Sequence, residues 1–593
     1  MTRKLAIAAI LLACASLVGL YVPLRPKAPL EEGLAAYARG DWQGSAGSAR
    51  LALESDKNNT EALRLLARAS ARQGRDDSAV AIYRRLGGKA LEAEDLFLLG
   101  RGLLSKGQTE PALAALGAAR DINPNHAETL DALGKHHAST NALLEALDLA
   151  ERLASQDGWK ARGLARVGAL KLSLFDPEGA ADALKHALSL DLKGADFTQD
   201  EAKTLLAKAL LQQGKGAEAL DWLKTAAKTG PEVDWLLSRA FLQSKNLSAA
   251  ENALKASGEF ATSDPLRQDP SPYVGSARCA GCHPKEYRAE QSSAHALGLV
   301  RGKALLDLPW PDATVADADN PRVSQTVIHE GASIQIQTKV NGELFSAVVD
   351  YALGSNHQGQ TFVGREAGGS ARELRLSRYP SAPFWAKTSE HPAIPPDAPG
   401  YLGRPVSEES LRKCLNCHAT NFREVQKPAG RPEALDRGIG CERCHGPGGN
   451  HLLAVDLGFN DLAIAQPKKA GQGAVTLPLC AQCHKAPGAA KLEDPGFVRF
   501  QAPTFVLSRC YTESEGTFSC VSCHNPHTNV SRDTQAYVAK CLSCHSNVEN
   551  RAKPSKICPL NAKNDCLSCH MPKVANAVPR AVFTDHQIRI RPK

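Results

Sequence analysis

The stretch from residue 100 to residue 124, GRGLLSKGQTEPALAALGAARDINP, is the clearest unit of a repeat in the first half of the chain. Its first residue, Gly100, is followed at offsets of 12, 16, 19 and 24 by Ala112, Leu116, Ala119 and Pro124. Small residues recur with spacings of 33 to 39 residues at Gly33, Ala67, Gly100, Gly134, Gly168, Ala207 and Ala240. A period of this length indicates stacked helix pairs that bury a core only against their neighbours.

The repeat resembles the tetratricopeptide repeat, which implies an α-solenoid over residues 29–258. Small residues let the two helices of a unit approach, while Leu and Tyr fill the space towards the next unit. The longest step contains LKGADFTQD, which predicts a longer turn between units. Two roles fit such a solenoid: a concave surface that docks a partner protein, or a spacer that holds the following domain away from a membrane.

Two flanking segments have a different composition. In residues 1–28, Arg3 and Lys4 precede an apolar run over residues 5–24, which predicts an export signal or an anchor in the inner membrane. The bulk of the chain is therefore expected in the periplasm. Residues 259–275, rich in Pro, Asp and Ser, predict a linker before a second domain at 276–593.

The composition places the chemistry in that second domain. The 593 residues include 17 Cys, 18 His and only 2 Met, and 16 of the Cys lie after residue 278. The net charge is +8, but basic and acidic residues are interleaved and form no long run, so we expect no binding to nucleic acid.

Seven C-x-x-C-H motifs, the attachment signature of c-type haem, account for most of these cysteines. On a helical turn the two thiols and the histidine share a face, so the thiols can bond the haem vinyl groups while the imidazole reaches the iron. Zinc binding would need ligand pairs brought together and gives no reason for a histidine after every second cysteine. The motifs comprise Cys279, Cys282 and His283; Cys414, Cys417 and His418; Cys441, Cys444 and His445; Cys480, Cys483 and His484; Cys520, Cys523 and His524; Cys541, Cys544 and His545; and Cys566, Cys569 and His570.

The second axial ligand of each iron is expected to be histidine. Met1 and Met571 are the two methionines, and Met571 adjoins its own motif, so mostly bis-His, low-spin haems of generally low potential are predicted. Seven further histidines lie in the domain. We assign five of them as ligands: His295, His451, His527, His586 and His357. A surface loop position is the alternative for His357, and for His329 and His391 ligation and a surface loop position are both open.

An open iron position would change the expected function, because it could bind a small nitrogen or sulfur compound. Residues of the segment ARELRLSRYPSAPFWAKT are candidates to line such a pocket: Arg372, Arg375, Arg378, Tyr379 and Trp385. The alternative for the three arginines is a solvated strand face.

The rest of the domain is predicted to be short helices and loops with one small β insertion. Between His295 and Cys414, alternating polar and apolar residues surround an Asn341-Gly342 turn, which indicates a small antiparallel sheet. Cys510 and Cys558 belong to no motif, and in an oxidising compartment we expect them to form a disulfide; a free thiol or a sulfur near a haem is the alternative.

The phrases CAGCH with SSAHA, CERCHGPGGNH, SRCYTESEGTFSCVSCHNPH, and DCLSCHMPK followed by FTDH resemble multihaem c-type cytochromes. The likeness is to the cytochrome c-552/4 type, related to the tetrahaem electron acceptor of ammonia-oxidising bacteria. It covers residues 276–593 and implies electron transfer along stacked bis-His haems, with His295, His451, His527 and His586 at ligand positions. This chain departs from the family in its seven motifs, its long solenoid and its lack of a C-x-x-C-K motif.

Two functions follow from the sequence. The first is a periplasmic electron carrier with seven covalently bound haems, docked to redox partner proteins by the repeat region. The second is a multihaem oxidoreductase that acts on a small nitrogen or sulfur compound at an open haem.

Overall fold

The computed structural model describes residues 28–87, 91–190, 192, 197–227, 230–423, 438–467, 473–485, 498–545, 565–575 and 581–590. The chain forms two compact units, Met1–Gly163 and Leu164–Lys593, which differs from a division at the predicted linker. The predicted export or anchor segment, Cys14 and Cys558 lie outside the described residues. Among the helices that are described, none has the length and apolar character needed to span a membrane.

The first unit consists of antiparallel helices joined by short turns. Asp41 and Asn59 begin two of these helices, where their side chains accept the backbone N–H groups of Gly44 and Ala62. The helices are α1 (Pro29–Ala38), α2 (Trp42–Ser55), α3 (Thr60–Arg72), α4 (Asp76–Leu86), α5 (Ala93–Ser105), α6 (Thr109–Ile122), α7 (Ala127–Ser139) and α8 (Leu143–Ala154), with α9 (Lys160–Ser173) running across the division between the units.

The small residues of the repeat lie where two helices touch. A Cβ atom on Gly100 would come within 2.7 Å of Leu116 Cγ, and one on Gly33 within 2.8 Å of Leu65 Cδ2. Around these contacts the aromatic and leucine side chains of successive helices, including Tyr83 and Phe97, form one buried cluster. The period of small residues therefore reflects close helix approach, as the sequence predicts.

The repeat continues into the second unit. Its helices are α10 (Pro177–Ser189), α11 (Gln199–Gln212), α12 (Gly216–Lys224), α13 (Pro231–Gln243), α14 (Leu247–Ala256) and the short α15 (Phe260–Ser263). Each of α10 to α13 packs against the next along the chain, and α15 packs against α13. The protein is thus mainly helical, with tetratricopeptide-type helix repeats in its N-terminal part, as predicted.

An antiparallel sheet follows, larger than the small insertion that the sequence suggests. The strand order is β2-β3-β4-β5-β6-β7-β8, with β1 paired to β5 and β9 to β7. Asn341 and Gly342 have φ values of 51° and 91° at the turn between β4 and β5, the left-handed conformation that an Asn-Gly hairpin uses. The strands are β1 (Leu299–Arg301), β2 (Val315–Ala316), β3 (Ser324–Glu330), β4 (Ser333–Val340), β5 (Glu343–Leu353), β6 (Gln360–Arg365), β7 (Ala371–Arg378), β8 (Trp385–Lys387) and β9 (Gly403–Pro405).

Short helices and loops carry the C-x-x-C-H motifs. Among the described residues of this part, 3₁₀ turns lie at Ser276–Gly281, Gly302–Leu305 and Pro399–Tyr401. The helices are α16 (Pro284–Gln291), α17 (Glu408–His418), α18 (Cys441–His445), α19 (Gly449–Leu457), α20 (Gly473–His484), α21 (Gln501–Phe505), α22 (Arg509–Thr512), α23 (Cys520–Cys523), α24 (Thr534–His545) and α25 (Leu567–His570). A two-stranded sheet of β10 (Lys573–Ala575) and β11 (Val582–Thr584) follows.

The segment predicted as a linker is packed into the second unit. Asp269 is buried and pairs with Arg239 of α13, and the Glu442 carboxylate accepts the backbone N–H groups of Val274 and Gly275 at 2.9 and 2.8 Å. Beside it, Leu242 and Ala250 of the last repeat helices share an apolar cluster with Ala454, Phe459 and Ala463. Asp269, an acidic residue of this segment, is therefore the partner of a group elsewhere in the chain.

Candidate haem-binding site

All seven C-x-x-C-H motifs lie on a helical turn. His418, His484 and His545 are the last residues of α17, α20 and α24. Three other motifs coincide largely with the one-turn helices α18, α23 and α25, and the first motif begins on the 3₁₀ turn at Ser276–Gly281. In three motifs the histidine N–H donates to the carbonyl of the first cysteine, at 2.8 Å for His283, 2.9 Å for His524 and 3.0 Å for His570. This turn places the two thiols and the imidazole on one side of the backbone.

The structure brings three motif histidines next to three of the predicted second ligands. The imidazole centres are separated by 6.3 Å for His484 and His295, 6.2 Å for His445 and His527, and 6.3 Å for His524 and His586. A metal bonded at about 2 Å to each of two opposed imidazole nitrogens separates the ring centres by about 6.3 Å. Each pair therefore has the spacing that one haem iron between two histidines requires.

In several histidines of this domain, including three of the paired ones, the ring nitrogen Nδ1 is held by a backbone or amide oxygen. Nδ1 of His418 donates to Gly298 O at 2.9 Å, and Nδ1 of His445 donates to Ala465 O at 3.1 Å. The same Nδ1 arrangement occurs at His451 with Leu462 O, His484 with Gln501 Oε1, His570 with Arg589 O and His586 with Thr584 O. A proton fixed on Nδ1 leaves Nε2 as the lone-pair donor, the arrangement typical of a metal-bound imidazole.

Burial favours the neutral form of several of these imidazoles. It is the largest cause that lowers the pKa of His418, His445, His524 and His586. The carbonyls that accept from His418, His445 and His586 oppose this effect but do not reverse it. Because iron binds the neutral imidazole, a lowered pKa keeps the ligand in its binding form at neutral pH.

The motifs also pack against one another. The first motif turn touches α18, and Ser276 Oγ accepts the N–H of Cys441 at 2.9 Å. Helix α20 touches α23, α23 touches α24, and α24 touches α25, while Cys417 Sγ lies 3.9 Å from Gln482 O. Motifs that are distant in the sequence therefore form one continuous cluster.

Three of the remaining histidines lie in the β region. His329 is exposed on β3, and His357 is exposed in the loop between β5 and β6. His391 is buried with Nε2 3.2 Å from Glu373 Oε2, a carboxylate that also pairs with Arg404. In the described part of the chain, none of these three rings packs against a motif histidine.

Arg375, one of the arginines considered for a pocket, instead holds the sheet together. Arg375 is fully buried; it donates to Asp317 Oδ2 at 2.5 Å and to the carbonyls of Pro392 and Ala393. The prediction of a solvated strand face is wrong for Arg375, because Asp317 lies in the segment before β3 and reaches it only in the folded sheet. Trp385 likewise packs in an aromatic cluster with Trp310 and Phe362.

Two family models match parts of the chain. One, described as cytochrome c554 and c-prime, matches residues 401–446, which contain the second and third motifs. The other, the tetratricopeptide repeat, matches residues 30–90 and 204–264. The repeat region therefore belongs to a class of structure that generally binds other proteins.

Solved structures of tetratricopeptide repeat proteins are similar to part of the chain. A tetratricopeptide repeat protein from Parabacteroides merdae is 17% identical over 39% of this chain and 90% of its own length, with a TM-score of 0.27. MamA is 22% identical over 26% of this chain and 92% of its own, with a TM-score of 0.23. YrrB, described as having an unusual peptide-binding site, is 18% identical over 31% and 90%, with a TM-score of 0.26. No curated protein matches the chain.

Proposed function

We propose that this protein is an exported multihaem c-type cytochrome that carries seven covalently attached haems and transfers electrons between redox partner proteins. The main support is that three pairs of imidazoles have their ring centres at the distance expected for an iron bound by two histidines. The Nδ1 hydrogen bonds support this proposal independently. They fix the orientation of the rings and leave Nε2 as the nitrogen that can bind a metal.

The chain's own groups supply attachment, ligation and environment. The cysteines of each motif hold the haem through two thioether bonds, and the motif histidine supplies one axial nitrogen. The second nitrogen comes from His527 at the third motif, His295 at the fourth and His586 at the fifth, while His451 and His357 are proposed to serve other motifs. A bound c-type haem supplies a reversible ferric–ferrous couple, whose potential depends on ligation and burial.

The repeat region is proposed to dock the redox partner. Tetratricopeptide-type helices generally provide protein-binding surfaces, and no group in them is needed for haem attachment. Residues 5–24 are proposed to direct export and, if uncleaved, to anchor the protein in the inner membrane.

One observation favours the second candidate function, an oxidoreductase acting on a small nitrogen or sulfur compound. Nε2 of His391 is hydrogen-bonded to Glu373 inside the sheet. With His391 held in the sheet in this way, six other histidines outside the motifs of this domain remain for seven irons. A haem without a second histidine has a position at which such a compound can bind.

A spectrum of the full-length holoprotein separates the two functions. The carrier predicts a ferric protein that is entirely low-spin and a ferrous protein that does not bind carbon monoxide. A high-spin ferric signal with about one carbon monoxide bound per chain favours the oxidoreductase. A purified protein that contains no haem, and therefore shows neither spin signal, would contradict both functions.

A further inference from the structure

Two ligand-bearing loops, far apart in the sequence, are joined by one asparagine side chain. Asn529 Oδ1 accepts the backbone N–H of Ala294 at 2.8 Å, and Asn529 Nδ2 donates to Ser292 O at 3.0 Å. The first loop carries His295, one residue beyond Ala294. The second carries His527, two residues before Asn529.

The two histidines belong to different motifs. His295 is paired with His484 of the fourth motif, whereas His527 is paired with His445 of the third. The His295 ring also donates to the carbonyl of Pro526, the residue that precedes His527. One imidazole is thus held by the peptide that carries the other.

The turn that contains His527 is itself held in shape, so it can act as a support. Asn525 Oδ1 accepts the N–H of His527 at 3.1 Å, and Asn525 O accepts the N–H of Thr528 at 3.2 Å. On the other side of the His295 loop, the carbonyl of His295 accepts the N–H of Ile439 at 3.0 Å. Ile439 lies two residues before the first cysteine of the third motif. The His295 loop therefore lies between the segment that precedes the third motif in the sequence and the turn whose His527 faces the histidine of that motif.

We propose that Asn529 is a positioning residue that couples axial ligation at the third and fourth motifs by fixing the His295 loop to the His527 turn. This inference rests on the proposed function, since it concerns haem ligands. An asparagine amide suits the role because it donates and accepts at once, which neither an aspartate nor an alanine can do. Asn529 is exposed, so its replacement leaves the buried core intact.

The test uses the full-length holoprotein with the substitutions Asn529→Ala, Asn529→Asp and His295→Ala. Asn320→Ala is the matched control, since Asn320 Nδ2 also makes a long-range hydrogen bond, to Tyr401 Oη at 3.1 Å, but in the sheet. Haem content, the low-spin electron paramagnetic resonance signals, carbon monoxide binding and the reduction potentials are measured for each protein. Asn529→Asp retains the acceptor and loses the donor, so it decides the test if Asn529→Ala fails to mature.

We expect both Asn529 variants to keep the wild-type haem content but to shift the signals and potentials of two haems, with new carbon monoxide binding of up to about one per chain. Asn320→Ala is expected to match wild type. The proposal is overturned if the Asn529 variants match wild type while His295→Ala does not. If His295→Ala also matches wild type, the assignment of His295 as a ligand fails, and with it that part of the proposed function.

Discussion

The imidazole rings of His445 and His527 lie with their centres 6.2 Å apart and their planes inclined by only 7°. His445 ends a C-x-x-C-H motif, and His527 follows a different motif later in the chain. His445 Nδ1 is already bound to the carbonyl of Ala465, so its free Nε2 is the atom available to a metal. Under the proposed function, one motif would obtain its second ligand from the loop that follows another.

Replacing His527 tests that pairing. His527→Ala is expected to convert one haem to a high-spin form that binds carbon monoxide, because an axial nitrogen is lost. His527→Met is expected to keep that haem six-coordinate but raise its potential. Electron paramagnetic resonance and a redox titration of the purified protein measure both effects. His329→Ala, at an exposed strand position, is the control, and a fully low-spin His527→Ala protein would refute the pairing.

The buried pair of Arg375 and Asp317 predicts a large loss of stability. Asp317→Ala removes the buried carboxylate nearest to the Arg375 guanidinium and leaves the more exposed Asp319, at 3.2 Å, as its acidic partner, which costs about 3 kcal/mol. Urea unfolding, followed by the fluorescence of the Trp310 and Trp385 stack, measures this loss. The control is Glu408→Ala, whose partner Arg365 is more exposed and for which we expect a change below about 1 kcal/mol. Equal urea midpoints for the two variants would show that the buried pair stabilises the protein no more than the exposed pair does.

Local patterns were predictable from the sequence, and long-range pairings were not. The period of Gly33 and Gly100 predicts helix packing, and Asn341-Gly342 predicts a hairpin, because both depend on residues near in the chain. The partnership of Arg375 with Asp317 depends on how the sheet closes. Gln501 and Asn529, which support the candidate site, lie outside every motif, and Glu442 occupies a variable position of the third motif.

The proposed axial ligands also divide into those that the sequence identifies and those whose pairing depends on the fold. The histidines of the motifs are recognisable from their spacing, but which second histidine meets which motif depends on the fold. The contact of His295 with His484, for example, requires the chain to return to its first motif after the whole sheet. The carbonyl groups that hold Nδ1 have no sequence signature, since every residue carries one.

An acid-sensitive contact is predicted in the repeat region. Burial raises the pKa of Glu94, but hydrogen bonds from Tyr37 and Arg72 outweigh it and hold that pKa below its ordinary value of 4.5. A carboxylate with a lowered pKa contributes stability above its unfolded pKa and loses it as pH falls through the folded pKa. Glu94→Gln is therefore expected to be less stable than wild type at pH 7 and to lose less stability below about pH 4.5.

Thermal unfolding measured between pH 7 and pH 3 checks this prediction. Glu110→Gln, a change in the first turn of α6, is the control and should follow the wild-type curve. An unchanged acid dependence in Glu94→Gln would mean that the contact with Tyr37 and Arg72 does not contribute.

Two deletions separate docking from haem binding. Removing residues 29–159 takes away helices of the first unit and leaves the packing of the motif region on α13 and α14. We expect this variant to keep the low-spin spectrum but to transfer electrons more slowly to its physiological partner. Removing residues 29–258 also takes away Leu242 and Ala250, exposing Phe459, and is expected to reduce the yield of holoprotein. Unchanged transfer after the shorter deletion would reject docking by the first unit.

The central claim is that each C-x-x-C-H motif binds one haem covalently. The most direct measurement is the intact mass of the exported protein after denaturation, combined with a pyridine haemochrome assay. If each motif binds one haem, we expect seven haems per chain and no motif cysteine that reacts with an alkylating reagent. A fully matured protein with fewer haems, and with alkylated cysteines inside the motifs, would contradict it.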